Sequence, residues 1–216
     1  MKKIKLVYAH DTLCGWCYGL IPALQHFVNE RPYVEVEVLP GGLFVGEPAR
    51  PYASLVAHIR SAERRLEAVT GRKPSDAFHR FIASAPKAYA RSEVPAHALL
   101  QMNALDKSRS LEFAHLLQEA HFGEGKDLNE AQTYVDVCEA HDFPALDIPA
   151  LLNASLNDEI LQKGFKACRD LGARGYPNLF VTSEGSGGKE VLGIIGAAYV
   201  PEQLVMAFNE LASRKN

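Results

Sequence analysis

The sequence has little that suits a membrane or a nucleic acid. No apolar run in its 216 residues approaches the roughly 18 that a membrane-spanning helix needs. The net charge is -3, so the chain lacks the broad positive field that binds nucleic acids or anionic lipids. The apolar run Leu6–Ala9, which follows three N-terminal lysines, is too short for the core of a signal peptide. We therefore expect a cytoplasmic protein with neither a membrane nor a nucleic-acid partner.

Cysteine is also scarce. Four cysteines are too few for a disulfide-stapled fold, and with 47% hydrophobic residues the chain can build a substantial core without one. Cytosolic thiols are normally reduced, so two closely spaced cysteines indicate redox or metal chemistry. Cys14 and Cys17 form one such pair, whereas Cys138 and Cys168 stand singly and are typical of buried apolar side chains.

The N-terminal segment predicts a βαβ unit. Ile4–Ala9 is mostly apolar and β-favouring, which is typical of a buried strand. From Cys14 to Glu30 apolar residues recur at helical spacing, and Pro22 is expected to kink this helix. Alternating valine and glutamate then predict a half-exposed strand that ends at about Leu39.

The middle of the chain shows helical periods and almost no strand signal. Five candidate helices are Ser54–Val69, Asp76–Ser84, Val94–Leu105, Leu111–His121 and Glu130–Ala140. Short breaks with glycine, proline or serine, among them Ala85-Pro86, separate these helices. Their apolar faces predict the core of a small helical bundle rather than a cofactor site.

Strand signals return near the C-terminus. Ser155 and Asp158 have the spacing of a capping box and predict a helix that ends at about Leu171. The remaining predicted elements are a hairpin of Leu179–Thr182 and Val191–Ile195, with a glycine-rich turn at Gly185–Gly188, and a helix that begins after Pro201.

The CxxC pair lies where the first helix begins. Two cysteines three residues apart are within disulfide range, so the pair can close and open without a large backbone movement. Cys14 faces the free N–H groups and positive dipole of the helix start, which stabilise a thiolate, so we expect an accessible, attacking Cys14. Cys17 lies deeper and is expected to resolve the mixed disulfide that Cys14 forms. Zinc uses the same spacing, but structural zinc usually needs a second pair, which is missing.

Two further candidate positions have alternative explanations. Trp16 suits either an apolar rim for a bound peptide or simple packing against a neighbouring loop. Pro177, in the turn Gly175-Tyr176-Pro177, suits either a trans proline at a strand start or a cis proline. A cis bond would leave the Tyr176 backbone free to pair with an extended substrate.

These motifs resemble those of the thioredoxin superfamily, and their order along the chain resembles the DsbA family. The stretch from Asp11 to Gly19, with Cys14-Gly15-Trp16-Cys17 at its centre, is most similar to the cytoplasmic FrnE-like branch of predicted protein disulfide isomerases. The resemblance implies Cys14 as the nucleophile, Cys17 as the resolving thiol and Pro177 as a cis-proline beside them.

The resemblance also implies the domain organisation. We expect an α/β thioredoxin-like fold with an all-helical domain inserted between the βαβ half and the C-terminal ββα half. The expected boundaries are residues 1–45 and 150–216 for the two thioredoxin-like parts and 46–149 for the helical insertion. In this arrangement the strand Leu179–Thr182 lies beside Ile4–Ala9 and brings Pro177 to the start of the Cys14 helix.

The expected activity is thiol-disulfide exchange on protein or small-molecule disulfides, including disulfide isomerisation. Tyr176 and Trp16 are expected to bind substrate, no metal or cofactor beyond the dithiol is expected, and glutathione is a candidate co-substrate. Gly15-Trp16 replaces the Pro-His of strongly oxidising periplasmic DsbA proteins, so the direction of electron flow stays open. Two alternatives are a glutathione-dependent isomerase or transferase and a peptide-binding chaperone without catalysis.

His10 and Asp11 lie shortly before the motif, separated from Cys14 by Thr12 and Leu13. Both side chains suit proton transfer to a thiol, but an aspartate in a strand-to-helix turn more often caps the local backbone. We therefore count neither residue among the catalytic candidates.

Overall fold

A computed structural model describes residues 3–85, 88–185 and 188–213 of the chain. The first elements are strand β1 (Lys3–His10), helix α1 (Gly15–Glu30) and strand β2 (Glu35–Pro40). The last are helix α8 (Glu159–Asp170), strands β5 (Asn178–Gly185) and β6 (Gly188–Gly196), and helix α9 (Pro201–Ser213). No helix in these three ranges is long and apolar enough to span a membrane.

The elements between β2 and α8 are mainly helical. They comprise strand β3 (Arg50–Pro51), a 3-10 turn (Tyr52–Ser54), helices α2 (Val56–Thr70) and α3 (Asp76–Ser84), strand β4 (Tyr89–Ala90), helix α4 (Glu93–Leu105), a second 3-10 turn (Lys107–Arg109), helix α5 (Ser110–Gln118), a π-helical turn (Glu119–Gly123), and helices α6 (Ala131–Ala140) and α7 (Ile148–Leu152). The predicted helical insertion is thus confirmed, while its exact boundaries at residues 46 and 149 stay a prediction.

The central sheet has the strand order β2-β1-β5-β6. β1 pairs in parallel with β2 and antiparallel with β5, and β5 pairs antiparallel with β6. Because β1 is a central strand covered on both faces, the side chains from Leu6 to Ala9 are all 0% exposed. The sheet combines a βαβ half with a ββα half, which confirms the predicted fold class.

Helix α1 packs on both parts of the molecule. Its Phe27 ring meets Phe208 of α9 edge to face, with ring centroids 4.9 Å apart. On another side, Gly19 lets α2 approach closely, because a Cβ there would lie 2.9 Å from Leu66 Cδ1. Helix α1 is therefore clamped between the sheet half and the insertion, and this fixes the position of the CxxC motif at its N-terminus.

The predicted start of α8 is wrong. Asp158, not Ser155, is the N-cap, since its Oδ1 accepts a hydrogen bond from Ile160 N at 3.0 Å. The Ser155 hydroxyl instead accepts a hydrogen bond from Asn157 N within the preceding turn. The helix therefore begins at Glu159, after the carboxylate that satisfies one of its free N–H groups.

Other differences are small. The predicted helix Leu111–His121 divides into α5 and the π-helical turn, and α7 and the strand pair β3–β4 were not predicted. The π-helical turn, α7 and the two short strands contain too few residues to produce a periodicity signal in the sequence. Pro86 of one predicted break and Ser186 and Gly187 of the predicted hairpin turn lie outside the described residues.

Candidate active site

The two cysteines of the CxxC motif occupy the N-terminus of α1. Cys14 is the N-cap residue, with an extended backbone (φ -86, ψ 112), and its carbonyl accepts the first helical hydrogen bond from Tyr18 N at 3.1 Å. Cys17 lies one turn further, facing the core, and is 0% exposed. Both residues, like Cys138 and Cys168, are free thiols.

The predicted accessibility of Cys14 is wrong, because its side chain is only 5% exposed. Its Sγ donates a hydrogen bond to the carbonyl oxygen of Tyr176 at 3.3 Å, across 162 positions of sequence. The loop before β5 therefore lies over the thiol. For the same reason the Tyr176 carbonyl, which we expected to be free for a substrate, is occupied when Cys14 is protonated.

Strand pairing places this loop. Tyr8 pairs with Leu179 and Ala9 with Asn178, so the start of β5 lies beside the end of β1, as predicted. The Tyr176–Pro177 peptide bond is cis, which confirms the expectation from the resemblance, and Pro177 is buried.

The Tyr176 side chain anchors the loop. Its ring packs directly on Gly41, just after β2, where a Cβ would overlap the ring. The Tyr176 hydroxyl accepts a hydrogen bond from Gly42 N at 3.2 Å. Tyr176 therefore has a structural role besides the substrate-binding role that the sequence suggests.

Cys17 lies among buried, uncharged polar groups. Burial, followed by the neighbouring Cys14 thiol, raises its pKa well above the usual range, while the Asp11 backbone and the Tyr8 side chain partly oppose this effect. The Tyr8 hydroxyl also lies 3.5 Å from the Cys17 carbonyl oxygen. A buried thiol of this kind loses its proton with difficulty, which suits a group that attacks only after a mixed disulfide has formed.

The Tyr8 hydroxyl also contacts a second buried polar side chain, that of His10. The His10 ring places Nδ1 at 3.1 Å from the Tyr8 hydroxyl and Nε2 at 3.3 Å from Thr12 Oγ1. Burial lowers the pKa of His10 to about 3, so the ring is neutral at pH 7. Tyr8 was missed by the sequence reasoning, although residues two apart on a strand share a face and this signal could have linked it to His10.

The Asp11 side chain caps backbone N–H groups of the neighbouring chain, as expected. Its Oδ1 accepts a hydrogen bond from Leu13 N at 3.0 Å and its Oδ2 accepts one from Leu43 N at 2.8 Å. Burial raises the pKa of this carboxyl from 3.8 to about 6. Asp11 thus ties the turn before Cys14 to the loop after β2.

The Trp16 ring packs against a neighbouring segment, which was one of its two alternatives, while its role in substrate binding stays a prediction. Its ring packs against Tyr199, with centroids 5.6 Å apart, and the Arg65 guanidinium carbon lies 5.8 Å from its centroid. Trp16 and Tyr199 are both partly exposed, and Arg65 is exposed. Beside the buried thiols there is thus an aromatic surface with a positive charge at its edge.

The two other cysteines lie apart from this motif in buried surroundings. Cys168 Sγ donates a hydrogen bond to the Pro40 carbonyl at 3.2 Å, and burial raises its pKa to about 12. Cys138 packs in the main core cluster, and burial also raises its pKa. Within the described ranges, no group of three or more His, Cys, Asp or Glu side chains is placed to hold a metal ion.

Solved structures of the same fold were found. A candidate protein disulfide isomerase from Nitrosomonas europaea superimposes with a TM-score of 0.74 at 17% identity, covering 99% of this chain and 100% of that chain. The cytosolic disulfide reductase DsbM from Pseudomonas aeruginosa superimposes with a TM-score of 0.69 at 24% identity, covering 96% and 94%. A second DsbM structure, with GSH, gives a TM-score of 0.68 at 23% identity, covering 96% and 95%.

Sequence comparison identifies the family. No curated protein matches the chain. The profile of the DSBA-like thioredoxin domain matches residues 6–204, which include the CxxC motif, the helical insertion and the cis-proline loop. The protein therefore belongs to the DSBA-like thioredoxin domain family.

Proposed function

We propose that this chain is a thiol-disulfide oxidoreductase with disulfide isomerase activity, in which Cys14 attacks and Cys17 resolves. The observation that carries the proposal is the contact of Cys14 Sγ with the Tyr176 carbonyl, 3.3 Å away, immediately before the buried cis-proline Pro177. This contact joins the more exposed of two thiols to a backbone group that an extended peptide can use.

The reaction has two exchange steps. The Cys14 thiolate attacks one sulfur of a substrate disulfide, a mixed disulfide forms, and the other substrate sulfur leaves as a thiolate. Cys17 then loses its proton and attacks Cys14 Sγ, which releases the second substrate sulfur and leaves a Cys14–Cys17 disulfide. A thiol of the glutathione class restores the dithiol, as two molecules supply two electrons and become one disulfide.

The Tyr176 carbonyl couples substrate docking to the first step. In the dithiol form it accepts a hydrogen bond from the Cys14 thiol. A substrate N–H that pairs with the same carbonyl displaces the thiol and leaves Cys14 Sγ free to attack the substrate disulfide. This exchange accounts for reactivity at a side chain that is only 5% exposed in the free protein.

The surface beside Cys14 suits a small peptide with carboxylates. Trp16 and Tyr199 offer partly exposed rings, and the exposed Arg65 guanidinium offers a charge-assisted hydrogen bond. Glutathione is such a peptide, and we include it as the co-substrate, together with disulfide-containing proteins as substrates. We further propose a cytoplasmic location, as for the Pseudomonas protein that is described as cytosolic.

Insulin reduction with glutathione as the electron source tests this function. We expect turnover by the wild type, its loss in Cys14→Ser, and its retention in the matched control Cys138→Ser. Cys17→Ser is expected to accumulate substrate as mixed disulfides on Cys14, since attack still occurs but resolution does not. Full turnover by Cys17→Ser would instead support a one-thiol transferase. Suppression of insulin aggregation by Cys14→Ser without any reduction by the wild type would support a chaperone.

The co-substrate has its own test. Arg65→Gln is expected to raise the KM for glutathione several-fold with little change in kcat, because the cation binds the ground state and the transition state alike. Arg64→Gln removes a neighbouring exposed charge of α2 and is the matched control. Equal KM values for the two variants would contradict the role of Arg65.

A further inference from the structure

The Gln118 side chain connects the helical insertion to the backbone around Cys14. Its Nε2 donates hydrogen bonds to the carbonyl oxygens of Cys14 at 3.3 Å and of Thr12 at 3.4 Å, across 104 and 106 positions of sequence. Because both of these atoms are acceptors, the NH2 end of the amide must face them. Gln118 is 0% exposed, so water does not compete for the two contacts.

The end of α5 holds Gln118 in this place. Gln118 is the last residue of α5, and the chain continues directly into the π-helical turn Glu119–Gly123. Single π-helical turns are frequent at functional sites. The adjacent Glu119 accepts a hydrogen bond from the Tyr18 hydroxyl of α1 at 3.2 Å. The end of α5 is therefore fixed against the first turns of the helix that carries the CxxC motif.

The oxygen of the same amide is left unpaired. Gln118 Oε1 is buried and has no hydrogen-bond partner among the described residues. An unpaired buried acceptor destabilises a folded protein, whereas an apolar side chain of similar shape would not. The amide at this position is therefore explained by its contacts with the two carbonyls rather than by stability.

These contacts matter most after the first exchange step. In the dithiol, the Cys14 thiol is held by the Tyr176 carbonyl, but a Cys14 sulfur that is bonded to substrate has no proton to donate. The backbone contacts of Cys14 do not involve its sulfur. Its N–H donates to the Asp11 carbonyl at 3.0 Å, and its own carbonyl accepts from Tyr18 N at 3.1 Å as well as from Gln118. Of these three contacts, the one with Gln118 alone comes from a distant segment and ties Cys14 to the insertion.

We propose that Gln118 is a positioning residue for the resolving step, in which it holds the Cys14 backbone so that Cys14 Sγ stays in line between Cys17 Sγ and the leaving substrate sulfur. In this step the Cys17 thiol gives up its proton to solvent, and a bond forms between the two cysteine sulfurs. The bond between Cys14 and the substrate breaks, and its electron pair leaves on the substrate sulfur, which takes up a proton. Because the attack needs the reacting sulfurs aligned, a displaced Cys14 slows resolution even when both cysteines are present. The inference rests on the proposed function.

Stopped-flow reaction of the reduced protein with one equivalent of dithiodipyridine separates the two steps. Attack by Cys14 releases a first thiopyridone and resolution by Cys17 releases a second, so absorbance rises in two phases. Gln118→Met keeps the length of the side chain but has no N–H to donate. The matched control is Gln101→Met, because the Gln101 amide joins α4 to the start of α7, with Nε2 3.1 Å from the Asp147 carbonyl oxygen.

The two phases should respond differently to Gln118→Met. We expect its first phase to stay within about twofold of the wild type and its second phase to slow by about 10-fold to 100-fold, the cost of a small misplacement of reacting groups. Gln101→Met should change neither rate. A purely structural role would not produce this difference, since loss of folded protein lowers the amplitude of both phases.

Gln118→Glu is a second variant, which keeps the shape of the side chain. At about pH 5 burial keeps the new carboxyl protonated, so it can still donate one hydrogen bond to a carbonyl oxygen. At about pH 8 an ionised carboxylate would face the two carbonyl oxygens instead. Asp11 also titrates in this range, but it does so in every variant, so each rate is divided by that of the wild type at the same pH. We expect the second phase to be closest to the wild type at the lower pH and slowest relative to it at the higher pH.

Three results would overturn the role of Gln118. A second phase in Gln118→Met as fast as in Gln101→Met would show that the amide is dispensable. Equal slowing of both phases in Gln118→Met would mean a structural role. A constant ratio between the second phases of Gln118→Glu and wild type at all pH values would mean that hydrogen-bond donation is unimportant. Absence of the first phase in the wild type would instead refute the proposed function itself.

Discussion

Replacing Gly41 by alanine should disturb the active site from a position outside it. The added Cβ would lie 2.8 Å from Tyr176 Cε2 and closer still to Cε1 and Cζ, well inside van der Waals contact. The ring must therefore move, and with it goes the hydrogen bond between the Tyr176 hydroxyl and Gly42 N. Tyr176 also supplies the carbonyl that accepts a hydrogen bond from the Cys14 thiol, so the loop over the nucleophile should shift as well.

The expected cost has two parts. Overpacking of a well-filled contact costs about 1–3 kcal/mol, and loss of a neutral hydrogen bond costs about 0.5–1.5 kcal/mol. We expect the free energy of unfolding of Gly41→Ala to fall by roughly 2–4 kcal/mol in total. Turnover in the insulin assay should fall too, because Cys14 and the Tyr176 carbonyl lose their fixed relation.

Urea unfolding of a double-mutant cycle tests this explanation. Gly41→Ala should cost much less in a Tyr176→Ala background, where no ring is left to collide, and the coupling energy should approach the overpacking cost. Tyr176→Phe isolates the hydroxyl and should lose only about 0.5–1.5 kcal/mol. Equal costs of Gly41→Ala in both backgrounds would refute the ring contact as the cause, and unchanged turnover would refute the link to Cys14.

Two further predictions concern stability. The pKa of Asp11 is about 6 in the folded protein, against 3.8 for an ordinary aspartate. The stability that protonated Asp11 contributes is therefore complete below about pH 4. It is lost as the pH rises through 6, by roughly 3 kcal/mol. Urea unfolding between pH 4 and 7 should show a stability difference between wild type and Asp11→Asn that varies with pH, and a constant difference would contradict this. Gly125→Ala should cost about 2–4 kcal/mol, since φ is +74 and the Cβ would lie 2.5 Å from the Ala77 carbonyl oxygen. The matched control Gly71→Ala, with φ +70 and nothing within 4 Å, should cost only about 1–2 kcal/mol, and equal costs would show that the clash is unimportant.

Local sequence patterns were sufficient for most of the fold. The helix Asp76–Ser84 has the predicted bounds, because an amphipathic period is combined with a Ser75 cap whose side chain accepts a hydrogen bond from Phe78 N. The parallel pairing of β1 with β2 agrees with the predicted βαβ unit. The start of α8 was predicted wrongly because both Ser155 and Asp158 are residue types that cap helices. Only the Asp158 carboxylate accepts a hydrogen bond from an N–H group of the helix.

The site was harder to predict, since its properties depend on contacts between distant segments. Spacing identified Cys14 and Cys17, but the low exposure of Cys14 comes from a loop 162 residues away. Likewise, Tyr8 looks like an ordinary core residue in a strand, and only the approach of α1 brings the Cys17 carbonyl oxygen to its hydroxyl. The anchoring of Tyr176 on Gly41 joins two segments that no local pattern connects.

The unequal burial of the two thiols determines how protons must move in the proposed reaction. At 5% exposure Cys14 keeps a narrow contact with the outside, and a docked substrate can bring both its sulfur and its hydrogen-bond donors to that point. Cys17, at 0% exposure, meets only Cys14 and the protein interior. Its proton therefore has to leave either through neighbouring protein groups or through local opening of the interior.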